Sequence, residues 1–600
     1  LMVDVDREKM GRYLNPSKAK LSSKGVDSVR SRVVNLKELA PDTTIELLSQ
    51  KLAEAFGQVY GLPYEEIGLT EQDKKAIQPL FEKYGSWKWR FGREIPFTFE
   101  CGERFPWGSV QIQLMVDGGR VKEAEVYSDS MDWSIAEKLK AALEGESFSE
   151  AELCLAAEKA AKLGMKTAVV ENRDVGGTCL NRGCIPTKTL LHSSEAYHAA
   201  TASAGIGIHV EGARADMNEI FAYKRQISAK LSSGIESLFK GAKIDLIRGR
   251  AQITSPGRVH VELNEGGCDE LAAEKIIAAT GSVPARPPIT GLDLPGVMTS
   301  DELLEGCDHL YESIIIIGGG VIGIEFATFY SDLGCKVTVI EGMDRLLPNM
   351  DRELGQNLAM ILKKQGVNVF VNSMVQCVEK GESGLTVRFS EKGKDNSVTG
   401  EAVLCAIGRK PYMDGLFAEG LAPEMDRRSI KVNEKYQTSI PGVYAIGDVS
   451  AKIQLAHVAS AQGTACVDMM NGIENSVDMN VVPSVIYCRP EIAVVGMTEA
   501  EAKEAGIPAK AGKCVMFGNA RTLIADPGRC FMKVVANAET REIIGAQLMC
   551  EHSSDMISEI SEAMANHLTV ESLLKIMRPH PSFEEALGEA LEDLVAKLNK

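Results

Sequence analysis

Ile314-Ile315-Ile316-Ile317-Gly318-Gly319-Gly320-Val321-Ile322-Gly323-Ile324-Glu325-Phe326 is the stretch whose reading decides the fold. Four isoleucines in a row read as a strand buried on both faces, and the apolar run after the glycines reads as a helix. A further strand, 336–340, ends in an acid, Glu341, 23 residues after Gly318. Glycines at this spacing are weak evidence alone. Set between such a strand and helix, with an acid closing the next strand, they are what a Rossmann unit requires. Gly318 permits a tight turn, Gly320 lets the backbone approach a pyrophosphate, and Gly323 lets helix lie against strand. The helix N-terminus then faces the phosphate charge. Glu341 would accept from a ribose 2′-hydroxyl and repel a 2′-phosphate, which favours NAD over NADP; Arg345, four residues on, could soften that choice. The competing reading is a glycine-rich turn with no ligand.

Outward from this unit, helix and strand alternate from about residue 155, with apolar strands at 167–170, 275–279 and 314–317. Such alternation predicts parallel sheets covered by helices, an α/β arrangement. After about 481 the texture changes to strands such as 531–535 followed by a helix at 553–567, a separate α+β domain. The first 150 residues are richer in aromatics, Trp87 to Trp133 among them. Segments 110–115 and 121–127, separated by Asp117-Gly118-Gly119, predict a hairpin. A helix is expected at 135–143 and a domain boundary at 145–150. Six hundred residues are too many for one core.

The apolar fraction of 44% and charged fraction of 25% are those of an ordinary globular protein. A net charge of −17 argues against nucleic acid or anionic membrane as main partner, and serves equally as a solubilising surface. No apolar run approaches the roughly 20 residues of a membrane span, and the start has no signal-peptide pattern. Fourteen cysteines are too dilute for a disulfide scaffold, so a cytoplasmic location is expected. The chain opens on Leu1 rather than Met, which predicts a fragment of a longer product.

Two of those cysteines stand five apart in Val175-Gly176-Gly177-Thr178-Cys179-Leu180-Asn181-Arg182-Gly183-Cys184-Ile185-Pro186-Thr187-Lys188. Across the first turn of a helix such a pair can form a strained, reducible disulfide, and the helix N-terminus lowers thiol pKa. A zinc site would need two more ligands, of which only His192 is at hand; so many cysteines also make one close pair a matter of chance.

The segment from Gly176 to Lys188 closely resembles the active-site segment of dihydrolipoamide dehydrogenases, within the flavin disulfide reductases. The resemblance continues through Ala279-Thr280-Gly281-Ser282, the Gly318 fingerprint and Ala406-Ile407-Gly408-Arg409. It runs on in Ala445-Ile446-Gly447-Asp448-Val449, Gln454-Leu455-Ala456-His457 and His580-Pro581-Ser582-Phe583-Glu584-Glu585. It implies that Cys179 is the interchange thiol facing substrate and that Cys184 lies against the flavin, with Lys188 beside the flavin ring. Glu171, ending its strand, would bind the ribose of the FAD adenosine. Thr178, Thr280, Gly281, Ser282, Gly447, Asp448, Gln454, Leu455, Ala456 and His457 are the further FAD candidates, with Gly249 a looser match. The NAD set is Gly318, Gly319, Gly320, Val321, Ile322, Gly323, Ile324, Glu325, Glu341 and Gly408; no metal is expected. His580 would take a proton from the incoming dithiol and Glu585 would hold its imidazole; without the resemblance, a histidine between two prolines reads as structural. In the family this base serves the other subunit's flavin site, which implies a homodimer.

The front end resembles lipoate–protein ligases: Ser22 to Val33 is similar to one of their segments, and Gly85 to Gly92 and Arg104 to Gly108 are similar to their C-terminal accessory domain. The alternative is ordinary core aromatics. The ligase's catalytic core should precede Leu1, so no complete ligase activity is expected. A second departure is more serious. Dihydrolipoamide dehydrogenases begin with a strand and glycine loop that cradle the FAD pyrophosphate. Gly145-Glu146-Ser147-Phe148-Ser149-Glu150-Ala151-Glu152 holds neither the strand nor the glycines, so exposed neighbouring edges and weakened FAD binding are expected.

The expected architecture is therefore α/β, with two Rossmann-like FAD- and NAD-binding domains, an α+β dimerisation domain and an N-terminal α+β ligase-type accessory domain. The boundaries are 1–150 for the ligase-type domain, 151–311 and 412–480 for the FAD domain, 312–411 for the NAD domain, and 481–600 for the dimerisation domain. The expected activity is dihydrolipoyl dehydrogenase with FAD and NAD. Its partners would be lipoylated carriers of 2-oxoacid dehydrogenase, acetoin dehydrogenase or glycine cleavage systems, with no nucleic acid and no membrane. The alternatives are a flavin-free protein that binds lipoyl carriers and NAD, and an NADPH-linked disulfide reductase. No cysteine pair follows the base, against a mercuric reductase; two active-site cysteines speak against coenzyme A disulfide reductases. Glutathione-type reductases usually carry basic residues after the second strand, where Glu341 is followed here by Gly342 and Met343.

Overall fold

The computed structural model describes residues 3, 35–61, parts of 68–78, three strands between 99 and 128, and nearly all of the chain from 157 onward. In that last stretch residues 158, 451–452, 475–476 and 526–527 are not described. The expectations for 22–33, 85–92, the helix at 135–143 and the segment 145–152 lie outside the described residues. Two units divide at Ser147 and Phe148.

In the first unit Phe99–Phe105, Gly108–Asp117 and Arg120–Ser128 form an antiparallel meander. Asp117 pairs with Arg120, as the expected hairpin of these two strands requires. Ala124 and Val126 are buried, two apart on one face, as the period of a half-buried strand requires. Helix Ile45–Tyr60 is started by the Thr44 hydroxyl, which accepts from the Leu47 N–H, and stopped by Gly61 at φ +66°.

The second unit is built around the isoleucine strand. Ser313–Ile317 is the centre of a five-stranded parallel sheet. The order is Val297–Thr299, Ala402–Cys405, Ser313–Ile317, Lys336–Ile340 and Asn368–Phe370. Alternation sends Ile314 and Ile316 into a core with Phe326, Phe329 and Tyr330 of helix Val321–Asp332. Ile315 and Ile317 face Val387 and Phe389 of the antiparallel sheet Ser373–Gly381, Gly384–Glu391, Lys394–Gly400. Burial on both faces is why the run is unbroken by polar residues.

The preceding nucleotide unit is organised differently. Ala168–Glu171 pairs in parallel with Asp245–Ser255, which continues antiparallel into Arg258–Leu263 and Cys268–Ala272. Ile276–Ala278 pairs in parallel with Val443–Ala445 as a separate two-stranded sheet. Among the described residues no strand joins the two.

The C-terminal domain is a five-stranded antiparallel sheet, in the order Ser484–Ile486, Ile492–Gly496, Ile543–Met549, Phe531–Asn537, Ala509–Val515. Helices Ser553–Ala565 and Glu585–Leu598 pack on it around a core of their own. Lys533 bridges it to the sheet domain by ion pairs to Asp351 at 2.9 Å and Glu353 at 3.1 Å. Among the described residues no helix is long and apolar enough to cross a membrane.

Candidate active site

One cavity of about 2360 Å³ runs through the second unit and gathers most of the candidate residues. Its thiol end is shaped by glycines. Gly176, at φ +100°, leaves no room for a side chain, because a Cβ there would meet Leu180 Cδ1 at 2.7 Å. The chain then enters helix Gly177–Arg182, which carries Cys179. Asn181 Nδ2 pins this turn by donating to the carbonyls of Val175 at 3.0 Å and Gly177 at 3.1 Å.

The two cysteines do not share one helix. The first helix stops at Gly183, and Cys184 opens the 18-residue helix Cys184–Thr201. Gly183 is needed for the close approach: a Cβ would lie 3.0 Å from the Thr178 carbonyl and 3.3 Å from Cys179 Cα. Cys184 thus stands at the positive end of a long helix dipole, which favours thiolate. Pro186 fits there because first-turn amides need no intrahelical acceptor. His192 is exposed, and among the described residues no three His, Cys, Asp or Glu side chains are grouped to hold a metal.

One turn on, Lys188 Nζ lies 2.8 Å from both carboxylate oxygens of Glu325 and 4.8 Å above the Tyr487 ring. Glu325 is 3% exposed and also accepts from the Tyr487 N–H at 3.2 Å. Burial works to lower the Lys188 ammonium, but the Glu325 carboxylate reverses this, and the net direction is upward. The sequence placed Glu325 only within the NAD set; Tyr487 was missed altogether. The available signal was a carboxylate inside the otherwise apolar run Val321 to Ala327, which requires a cationic partner.

Around the same cavity Ser282 Oγ donates to Asp448 at 2.5 Å and accepts from Arg409 Nε at 2.8 Å. Thr280 Oγ1 donates to the Tyr412 carbonyl at 2.5 Å, and the Gly447 N–H donates to Gln462 at 2.8 Å. Thr178, Gly281, Gln454, Leu455, Ala456 and Gly408 also line it. His457 faces the Pro483 carbonyl at 2.9 Å, and burial holds its imidazole below the ordinary value. Glu171 lines the far end, its carboxyl raised by burial. Gly249 lines the cavity too, but its glycine identity has a packing reason: a Cβ would meet the Glu262 carbonyl at 2.5 Å.

The dinucleotide turn separates into structural and open glycines. A Cβ on Gly318, at φ +111°, would meet the Ala406 carbonyl at 2.4 Å, and one on Gly323 the Gly318 carbonyl at 2.0 Å. At Gly320 a Cβ would meet nothing within 4 Å, so this glycine keeps open a cradle beside the helix N-terminus. That space, with Val321 and Ile322 beside it, fits an incoming pyrophosphate. Gly319, Gly323 and Ile324 do not line the cavity; Gly319 instead donates its N–H to Glu341 Oε2 at 2.6 Å. Met343 N–H donates to the other oxygen at 2.7 Å, so Glu341 is held in place with lone pairs remaining for a ribose hydroxyl. Arg345 is tied to other groups. Its guanidinium donates to Asp344 and to the Pro348 carbonyl, both at 2.8 Å.

His580 stands apart. Its Nδ1 is 2.8 Å from Glu585 Oε1, while Glu585 Oε2 accepts from the Ser582 N–H at 3.0 Å. Those two bonds, Ser582 first, hold the Glu585 carboxyl below its ordinary value. The imidazole is 76% exposed and neither residue lines the cavity of its own chain.

Residues 154–463 match the family model described as pyridine nucleotide-disulphide oxidoreductase, and 482–591 match its dimerisation domain. Residues 94–172 match the bacterial lipoate protein ligase C-terminus, and 1–57 the lipoyl protein ligase A/B catalytic domain. The 1–57 match puts part of a catalytic domain, rather than accessory domain alone, at the front. Where the matches overlap, strand Ala168–Glu171 pairs with Asp245–Ser255, within the redox unit. A dihydrolipoyl dehydrogenase of Bacillus subtilis is 38% identical over 73% of this chain and 94% of its own length. A mitochondrial dihydrolipoyl dehydrogenase of Arabidopsis thaliana is 37% identical over 73% and 87%. Among solved structures, LpdA from Mycobacterium tuberculosis aligns with TM-score 0.68 at 26% identity, over 74% of this chain and 96% of its own. The HOCl-induced flavoprotein disulfide reductase RclA from Escherichia coli aligns with TM-score 0.66 at 29% identity, over 75% and 98%.

Proposed function

Because the chain belongs to the pyridine nucleotide-disulphide oxidoreductase family, we propose that it carries out the dihydrolipoyl dehydrogenase reaction, with the cavity described above as its site. The observation that carries the assignment is the convergence on one cavity of the Cys179–Cys184 pair, the Lys188–Glu325 ion pair and the Gly320 cradle. A dihydrolipoyl dithiol reduces the Cys179–Cys184 disulfide: two S–H bonds are lost, a lipoyl disulfide forms, and the protein cysteines hold the two electrons. FAD, held at the end of the cavity lined by Lys188, Ser282 and Asp448, would supply the two-electron relay from these cysteines to NAD, the overall products being NADH and one proton. Cys179 exchanges with substrate, while Cys184, at its helix N-terminus, is the sulfur held as thiolate on the flavin side. Lys188, kept charged by Glu325, presents a cation where a reduced flavin ring gathers negative charge.

Glu341 holds the adenosine ribose of NAD and disfavours a 2′-phosphate. The tethering of Arg345 supports NAD over the NADPH-linked alternative. His580 takes the substrate proton, oriented by Glu585, and its distance from its own chain's cavity fits a homodimer in which each subunit serves the other. Lipoylated carrier proteins of 2-oxoacid dehydrogenase, acetoin dehydrogenase or glycine cleavage systems are the substrates, and the cytoplasm the setting.

FAD fits the cavity unevenly. The flavin end and the Glu171 end are present, whereas no glycine loop for the pyrophosphate stands between them among the described residues. This favours one second reading, a flavin-free protein that keeps its carrier and NAD contacts. The visible absorption spectrum of the purified chain, before and after dihydrolipoamide, decides between them. Flavin bands that give way to long-wavelength absorbance support the enzyme; a colourless protein even after incubation with excess FAD refutes it.

A further inference from the structure

The chain contains its own reference for a complete nucleotide unit. In the NAD unit, the acid-ending strand Lys336–Ile340 and the strand Ala402–Cys405 both pair in parallel with Ser313–Ile317, which lies between them and runs into the glycine turn. Val337 to Ile340 and all four residues of Ala402–Cys405 are buried. The other unit has the two flanking strands in the same roles. Ala168–Glu171 ends in an acid, and Ile276–Ala278 runs into Thr280-Gly281. Each is anchored on its outer side, by Asp245–Ser255 and by Val443–Ala445.

Their inner edges meet no strand among the described residues, and burial records the difference. Ala168 is exposed, and Val169, Val170, Ile276 and Ile277 are only half-buried, although they are the residue types that the sister unit buries completely. The cavity extends along both strands, walled by Val169, Val170, Ile277, Ala160 and Val467. Two backbone edges and an apolar wall therefore border one slot, and ladder groups without partners there are costly.

We propose that this slot is an acceptor for a parallel β-strand donated by a separate polypeptide. The donor is an extended apolar segment of about five residues that ends in a glycine-spaced turn, as strand addition to an open edge requires. The sister unit shows such a segment, Ser313–Ile317 with Gly318 to Gly323, seated in the equivalent position. That copy is fully committed to its own sheet, so a second folded molecule of this chain cannot lend it. Seated in the slot, the donor would place backbone N–H groups between the flavin end and Glu171, completing the pyrophosphate cradle.

The test uses the full chain and a synthetic peptide with the sequence of residues 313–332, flanked by lysines for solubility, against a scrambled peptide of the same composition. The expected result is saturable binding of the first peptide only. It should bring amide-exchange protection at 168–171 and 276–278, and retention of FAD through gel filtration at least tenfold higher. Val169→Asp and Ile277→Asp, each placing a charge in the slot, should abolish peptide binding and leave NADH affinity unchanged. Equal binding of the scrambled peptide, or binding without protection of those two strands, overturns the proposal. These readouts do not depend on turnover: a chain that takes up peptide and FAD yet is not reduced by dihydrolipoamide would fail the dehydrogenase reading alone.

Discussion

Gly320 and Gly323 stand three residues apart in one turn, and the structure gives them opposite reasons for being glycine. Gly320 has φ −79° and ψ −175°, a backbone that alanine adopts freely, and its Cβ would meet nothing within 4 Å. Gly320→Ala should therefore fold as the parent does, with a stability change under about 1 kcal/mol. The added methyl would stand in the cradle and displace the pyrophosphate from the helix N-terminus. Losing one charge-assisted hydrogen bond costs about 1.5–3 kcal/mol, or roughly a 10- to 150-fold weaker NADH affinity. Gly323→Ala is different in kind. Its Cβ would lie 2.0 Å from the Gly318 carbonyl, a backbone atom that no rotamer change can move aside. Restoring ordinary contact of about 3.5 Å moves the helix start away from the strand by more than an ångström, an overpacking cost of ~1–3 kcal/mol. Both melting temperature and NADH affinity should fall. Fluorescence titration with NADH and thermal unfolding read these effects without requiring flavin. Parental NADH affinity in Gly320→Ala would refute the cradle, and a parental melting temperature in Gly323→Ala would refute the packing argument.

Coenzyme choice should rest on Glu341 alone: Glu341→Ala raises the NADPH to NADH rate ratio, whereas Arg345→Ala leaves it unchanged, as steady-state kinetics with both coenzymes would check. Glu585→Gln should slow dihydrolipoamide oxidation by about tenfold or more while flavin content and NADH affinity stay at parental values, because it touches only the orientation of His580. His457 supplies a pH dependence of stability. Burial keeps its imidazole below the ordinary 6.5, so as pH falls through that value the unfolded chain takes up a proton that the folded chain resists. That stability is fully present above the ordinary value and lost below it. The melting temperature should therefore drop more between about pH 7.5 and about 5.5 in the parent than in His457→Gln.

What was legible in the sequence follows the range of the forces involved. The NAD turn could be read residue by residue because strand, glycines, helix and acid all fall between Ile314 and Glu341, and the close contact that requires Gly323 is with Gly318 in the same span. The cysteine segment was legible as a motif. Its division into two helices was not, because the break depends on how closely Gly183 lets the chain approach Thr178. The Lys188–Glu325–Tyr487 contact joins residues 137 and 162 positions apart, and no local pattern encodes such a meeting. Those distant partners bear on the gap as well. Glu325 and Tyr487 are held by the parallel sheet domain and the C-terminal domain, whose cores contain neither Ala168–Glu171 nor Ile276–Ala278. The Lys188–Glu325–Tyr487 contact is thus positioned by elements outside those two strands, whereas Val175 and Leu180, on either side of Cys179, share a core with Val169. With no strand between Ala168–Glu171 and Ile276–Ala278 among the described residues, the cost falls most on the stretch between the Lys188 end and Glu171, so cofactor retention is where this chain should differ most from its relatives.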